Sequence, residues 1–248
     1  LRETERVRTA STIKLPILAT LFAEVAAGRL SWDEQITLRE EDKVSGSGVL
    51  TEFSSGAKFA LRDLSHLMIV VSDNTATNLI LDRIKADTVN AFLDTQGLTT
   101  TRSLRKVRGD GSQLKAPSGW SKAGLLAENQ RFGIGVTTPA EMVALLDRIE
   151  RGAVVSPQAS REIIAVLKRQ QDKEGIGRRL ARYEVASKSG GLDALRSDVG
   201  IVYAPRGRVA LAITVDNLKT VDYGPDNPGL MAIARLAELL VNALAPDA

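Results

Sequence analysis

The apolar residues of this chain change period once, near Tyr183, and that change limits the possible folds more than any other feature. Before it they recur at helical spacing. Leu15, Leu18, Leu21, Phe22 and Val25 form one such face, with Gly28 as its stop. Leu61, Leu64, Met68 and Val71 form another, and residues 75–84 start a further helix. Helices resume at Thr138-Pro139 and at Ser156-Pro157. Beyond Tyr183, residues 183–189, 199–204 and 208–216 are short β-branched runs. In the last, Val209, Leu211, Ile213 and Val215 alternate with Ala210, Ala212 and Thr214, as a half-buried strand does. Ala204-Pro205-Arg206-Gly207 is a turn, and residues 230–244 are a terminal helix. The expected class is α+β: a helical body, a small antiparallel sheet and a closing helix. Residues 45–60 and 99–137 read as loop, and Pro16 disturbs the start of the first helix.

Composition removes several functions. With no Cys, thiol catalysis, disulfides and cysteine metal sites are excluded; with one His, His66, so is any multi-His zinc site. The 33 Lys and Arg nearly balance 30 Asp and Glu and form no long run, so no nucleic-acid partner is expected. No apolar run reaches the ~18 residues of a membrane span, and the first residues hold no apolar signal core.

Three short motifs carry chemistry. In Ser11-Thr12-Ile13-Lys14 the hydroxyl and the amine fall on one face of a helix turn. A serine needs a base to become a nucleophile, and a lysine shielded from water and near other cations can act as one. In Ser72-Asp73-Asn74, at the end of an apolar helix, a hydroxyl and an amide can point into one cleft. In Lys188-Ser189-Gly190-Gly191 a strand offers a cation and a hydroxyl to an anion, and the glycines allow close backbone approach. About one Ser-x-x-Lys occurs by chance in such a chain; all three motifs in this order have odds on the order of one in a thousand. Singly, each has a plainer reading: helix caps for Ser11 and Ser72, solvated lysines for Lys14 and Lys188. Asp73 is expected to cap a helix, His66 to be structural, and Trp32 and Trp120 to pack. Arg196 and Arg208 are either further carboxylate contacts or surface charge.

Together the motifs resemble the penicillin-recognising serine hydrolases, above all the class A β-lactamases. The run Ser72-Asp73-Asn74-Thr75-Ala76-Thr77-Asn78 resembles that family's helix start, and Thr137-Thr138-Pro139 the helix start after its Ω loop. The resemblance implies one catalytic domain over residues 1–248, with a helical lobe over about residues 11–180 and a sheet lobe over about residues 181–248 plus the N-terminal end. It implies Ser11 as acylated nucleophile, Lys14 as base or relay, and Ser72 as proton donor to the leaving nitrogen. Asn74 would bond the substrate's amide side chain, and Lys188, Ser189 and Gly190 would hold its carboxylate end. The N–H groups of Ser11 and Gly191 would form the oxyanion hole. No metal or cofactor is implied. The resemblance further implies a β-lactam or peptidoglycan-like amide as substrate, met outside the cytoplasm. The same scaffold also suits a D-alanyl-D-alanine peptidase or esterase, or a penicillin sensor that acylates and stops.

The chain departs from the family pattern in two places. Class A enzymes carry an Ω-loop glutamate that activates the deacylating water, and Val107 stands at that position. The loop from there to Thr137 is longer than usual, and Glu128-Asn129 offers another carboxylate, with a solvated glutamate as the plainer reading. Only ten residues precede Ser11, where the family has a helix and two strands. Three C-terminal strands alone leave an open edge, so a further N-terminal segment, or another chain, is expected to complete the sheet.

Overall fold

The structure, a computed structural model, describes residues 1–108 and 119–246. In chain order its regular elements begin with β1 (Val7–Arg8), α1 (Lys14–Ala26), β2 (Gln35–Thr37), β3 (Lys58–Ala60) and α2 (Leu61–Val70). Next come α3 (Asn74–Ile84), α4 (Ala86–Thr95), β4 (Arg102–Ser103), α5 (Lys122–Leu125), α6 (Ala127–Gln130) and β5 (Gly135–Thr137). The chain ends with α7 (Pro139–Glu150), α8 (Pro157–Lys168), β6 (Glu184–Leu192), β7 (Leu195–Ala204), β8 (Gly207–Asp216) and α9 (Pro228–Leu244). The α+β class is as expected. Two compact units divide the chain: Ile13–Val136, and Leu1–Thr12 with Thr137–Ala248.

In the unit Ile13–Val136, α1 packs on α2, α3 and α4. The stripe seen in the sequence supplies the core: Leu15, Leu18 and Leu21 are fully buried, as are Leu64, Met68 and Ile80. Each such side chain stabilises the fold by about 1.5–3 kcal/mol on burial. Pro16 breaks nothing, because it lies in the first turn of α1, where N–H groups have no helical acceptor. A 3₁₀ turn, Ala10–Ile13, leads into the helix, which is the irregular start that the proline suggested. Asp73 caps α3 by accepting from Ala76 N at 2.8 Å, and its other oxygen accepts from Val49 N and Leu50 N. That is the structural role read from its position.

Sequence reading missed α4 and the β2–β3 pair, whose register sets Ile36 opposite Phe59, the latter inside the stretch 45–60 taken as loop. Both are short and owe their shape to packing rather than propensity. The supposed loop over residues 99–137 holds β4, α5, α6 and β5, with Arg102 opposite Val136. Its glycine-rich centre, Gly109, Gly111 and Pro117 included, lies outside the described residues. Trp120 packs beneath the guanidinium groups of Arg105 and Arg108, as a loop anchor.

In the other unit, β6, β7 and β8 form a three-stranded antiparallel sheet in that order. The turn at residues 204–207 joins β7 to β8, with Ala204 opposite Gly207. Ile176, Val185, Val202, Ile213, Ile233 and Val241 fill one core between the sheet and α9. Thr138 and Ser156 cap α7 and α8, each one residue before a proline that needs no partner. These two helices pack on the sheet strands and belong to this unit. The Arg8 guanidinium forms an ion pair with Asp216 at the end of β8.

Candidate active site

In the unit Ile13–Val136, Lys14 and the second motif share one cluster. Lys14 is the first residue of α1 and its side chain is fully buried. Its Nζ donates to Ser72 O at 2.7 Å, Ser72 Oγ at 3.2 Å and Asn74 Oδ1 at 3.0 Å. A solvated lysine is therefore ruled out. Ser72 presents both oxygens because its backbone is left-handed, with φ of +55°, a conformation rare outside glycine. Asn74 is held from the other side, where its Nδ2 donates to Ser45 O at 3.1 Å.

One turn further along α3, Asn78 clasps Val107. Its Oδ1 accepts from Val107 N at 2.8 Å and its Nδ2 donates to Val107 O at 2.9 Å. Asn74 and Asn78 lie four residues apart on one face, so the clasp sits one helix turn from the amide that Lys14 contacts. Lys106 next to it pairs with Asp82 on the same helix, at 2.7 Å. Sequence reading quoted Asn78 but gave it no task; its spacing from Asn74 was the available signal. Glu128 lies exposed on α6, while Asn129 is buried and donates to Ala123 O.

In the unit that holds the sheet, the third motif meets Ser11. A Cβ added at Gly190 would come within 2.9 Å of Ser11 N, 3.0 Å of Thr9 O and 3.1 Å of Thr12 N. These are backbone atoms and cannot give way, so glycine is required there. At Gly191 a Cβ would meet nothing closer than Arg196 at 3.5 Å, an ordinary contact. Close approach thus belongs to Gly190. Lys188 is fully buried on β6 and donates to Ser189 O at 2.7 Å. Burial pushes its ammonium down to about 8, against the pull of Asp198 and Asp172. Ser189 is also buried.

The two arginines after the motif are engaged elsewhere. Arg196 donates to the carbonyls of Leu192, Leu195 and Asp222 and stacks on Tyr223. Arg208 forms an ion pair with Glu150. Among the described residues no group of His, Asp and Glu could hold a metal ion, and no helix is long and apolar enough to cross a membrane.

The Beta-lactamase enzyme family matches residues 1–244. Beta-lactamase L2 of Stenotrophomonas maltophilia is 26% identical over 97% of this chain and 76% of its own length. A crystal structure of a β-lactamase from Sphaerobacter thermophilus superposes with a TM-score of 0.83 at 28% identity, covering 98% of this chain and 85% of that one. A mutant of PBP-A in its acyl-enzyme complex with penicillin-G superposes with a TM-score of 0.80 at 25% identity, covering 98% and 83%. The match takes in all three motifs in their order, and the chain belongs to the β-lactamase enzyme family, as a serine hydrolase of the class A type that acts on β-lactam amide bonds.

Proposed function

We propose that Ser11 is the residue acylated by the β-lactam and that release of the acyl group limits turnover. Ser11 Oγ attacks the lactam carbonyl, the amide C–N bond breaks, and an ester to Ser11 forms. Lys14, in its neutral form, takes the hydroxyl proton, and Ser72 passes a proton to the departing nitrogen. The N–H groups of Ser11 and Gly191 receive the developing oxyanion. Lys188 and Ser189 bind the substrate carboxylate, and Asn74 its amide side chain. The observation that carries this reading is the buried Lys14, bonded to both Ser72 oxygens and to Asn74. Three hydrogen-bond acceptors around a buried amine give its proton a path.

Deacylation needs a base for the attacking water, and loss of a positioned base costs about 10²–10⁴-fold. Val107 offers neither charge nor hydrogen-bonding side chain, and the Asn78 clasp fixes its backbone to α3. Exposed Glu128 gives no sign of replacing that base. An acyl-enzyme that accumulates is the behaviour expected here; a mutant of PBP-A has been seen in an acyl-enzyme complex with penicillin-G. The protein works outside the cytoplasm, where β-lactams meet their targets, and there it contributes to antibiotic resistance.

Intact-mass spectrometry after mixing with penicillin G tests both statements. One equivalent of adduct should form quickly and decay slowly, and Ser11→Ala should carry none. An adduct on Ser11→Ala removes the nucleophile assignment; fast turnover without accumulation removes slow deacylation.

A further inference from the structure

Gly46 has no part in the roles above, yet it lies against one of the site's own side chains. It belongs to an exposed strap, residues 45–49, that runs along the start of α3. Hydrogen bonds pin the chain on both sides of it. Val44 N donates to Thr75 Oγ1 at 2.9 Å, and Asn74 N donates to Ser47 O at 2.9 Å. Val49 N and Leu50 N donate to Asp73 Oδ2 at 2.6 and 2.9 Å. At Gly46 itself φ is +97°, and a Cβ there would lie 2.8 Å from Asn74 Nδ2. The conformation and the closeness both call for glycine.

With the strap in place, the Asn74 amide can face only one way. Its Oδ1 accepts from Lys14 Nζ at 3.0 Å, and its Nδ2 donates to Ser45 O at 3.1 Å. Turned over, it would set N–H groups against the donating Nζ and an oxygen against the Ser45 carbonyl. Two repulsions would replace two bonds. An amide nitrogen carries two N–H groups, and Ser45 O takes one. Among the described residues the other has no acceptor, so it is left for a ligand. The strap is held at both ends, whereas the amide is the free end of a side chain. A methyl group at residue 46 would therefore displace the amide and not the strap.

We propose that Gly46 is a positioning residue for the substrate's amide side chain: by leaving room for the Asn74 amide, it keeps one Asn74 N–H free for the carbonyl oxygen of an acylamino group. This rests on the reading of Asn74 as the contact for that side chain. Gly46 acts through Asn74 alone.

The test compares acylation of the full chain by penicillin G, which has an acylamino side chain, and by 6-aminopenicillanic acid, which has a free amine there. Gly46→Ala should slow penicillin G about tenfold more than 6-aminopenicillanic acid, the scale of one lost hydrogen bond. Gly56→Ala is the control for backbone strain, because Gly56 has φ of +93° and nothing within 4 Å of an added Cβ. It should leave the ratio of the two rates unchanged. In an Asn74→Ala background there is no amide to displace, so Gly46→Ala should leave the ratio unchanged there too. If Asn74→Ala slows both compounds equally, the reading of Asn74 fails. If Asn74→Ala shifts the ratio and Gly46→Ala does not, or Gly56→Ala shifts it as far, this inference alone fails. Should Gly46→Ala not fold, hydrogen exchange of the two Asn74 Nδ2 protons in the wild type decides by NMR. One should exchange more slowly than the other, and equal exchange overturns the lock.

Discussion

Lys14 and Lys188 are both fully buried, and the fold treats them in opposite ways. Around Lys14 the chain builds a cage of neutral oxygens: a carbonyl, a hydroxyl and an amide. These replace the water that burial removes. Around Lys188 the described residues supply one carbonyl, and the charges of Asp198 and Asp172 act on it from farther away. A lysine that must give and take a proton needs acceptors that can become donors, as Ser72 Oγ can. A lysine that must hold an anion needs a charge that is kept but left unpaired. A carboxylate in direct contact would compete with the substrate. The difference between cage and field matches the proposed roles of base for Lys14 and anchor for Lys188.

The largest expected effect breaks the cage. Lys14→Arg keeps the positive charge but cannot release a proton, so acylation by penicillin and by a neutral ester should both fall by about 10²–10⁴-fold. Stopped-flow acylation rates check this, and equal rates for both proteins would remove Lys14 from the proton path. Next comes the field. Asp198, raised to about 7 from an ordinary 3.8, binds its proton more tightly folded than unfolded. Its contribution to stability is therefore complete below about pH 4 and is lost as pH rises through about 7, at most about 4 kcal/mol at roughly 1.4 kcal/mol per unit. Lys188, lowered to about 8, runs the other way, and its contribution is present above the unfolded lysine range and lost as pH falls through about 8. Stability should dip between these values. Melting temperatures over pH 4–10 should show that dip in the wild type and lose its acidic side in Asp198→Asn. A smaller effect separates the two lysines by substrate. Lys188→Ala removes a charged hydrogen bond worth about 1.5–3 kcal/mol, so penicillin acylation should slow about 10–10²-fold. The neutral ester should be nearly unaffected; equal losses would make Lys188 an organiser of the site.

The cage was legible in the sequence and the field was not. Ser11, Lys14, Ser72 and Asn74 sit in two short motifs whose residue types announce acid–base chemistry, and the structure joins Lys14 to the second motif. The strands were legible because alternation survives in a half-buried sheet. Asp198 was invisible, because an aspartate ten places past Lys188 gains meaning only from hairpin register, with Leu192 opposite Leu195 bringing Ser189 to Asp198. The short β2–β3 pair and α4 were missed because their own residues scarcely favour them and packing decides. Val107 was legible as a departure from the family pattern; the clasp that fixes it was not, although Asn78 follows Asn74 by one turn.

That clasp gives the smallest effect and a way to separate acylation from deacylation. Asn78 touches the backbone of Val107 and none of the three acceptors of Lys14. Asn78→Ala deletes two hydrogen bonds of about 1 kcal/mol each and leaves a part-buried N–H and carbonyl to find other partners. Stability should drop by about 2 kcal/mol, a melting temperature lower by about 4–8 °C for a chain of this size. Acylation should hardly change, since the oxygens around Lys14 stay in place. The acyl-enzyme should decay faster, because a loop released from α3 admits water to an ester that the wild type shields. If the valine merely lacks a base, freeing it changes nothing and the decay rate stays where it was. If the clasped valine also keeps water out, Asn78→Ala shortens the life of the adduct while its rate of formation holds. Following adduct mass over time in the two proteins decides between these.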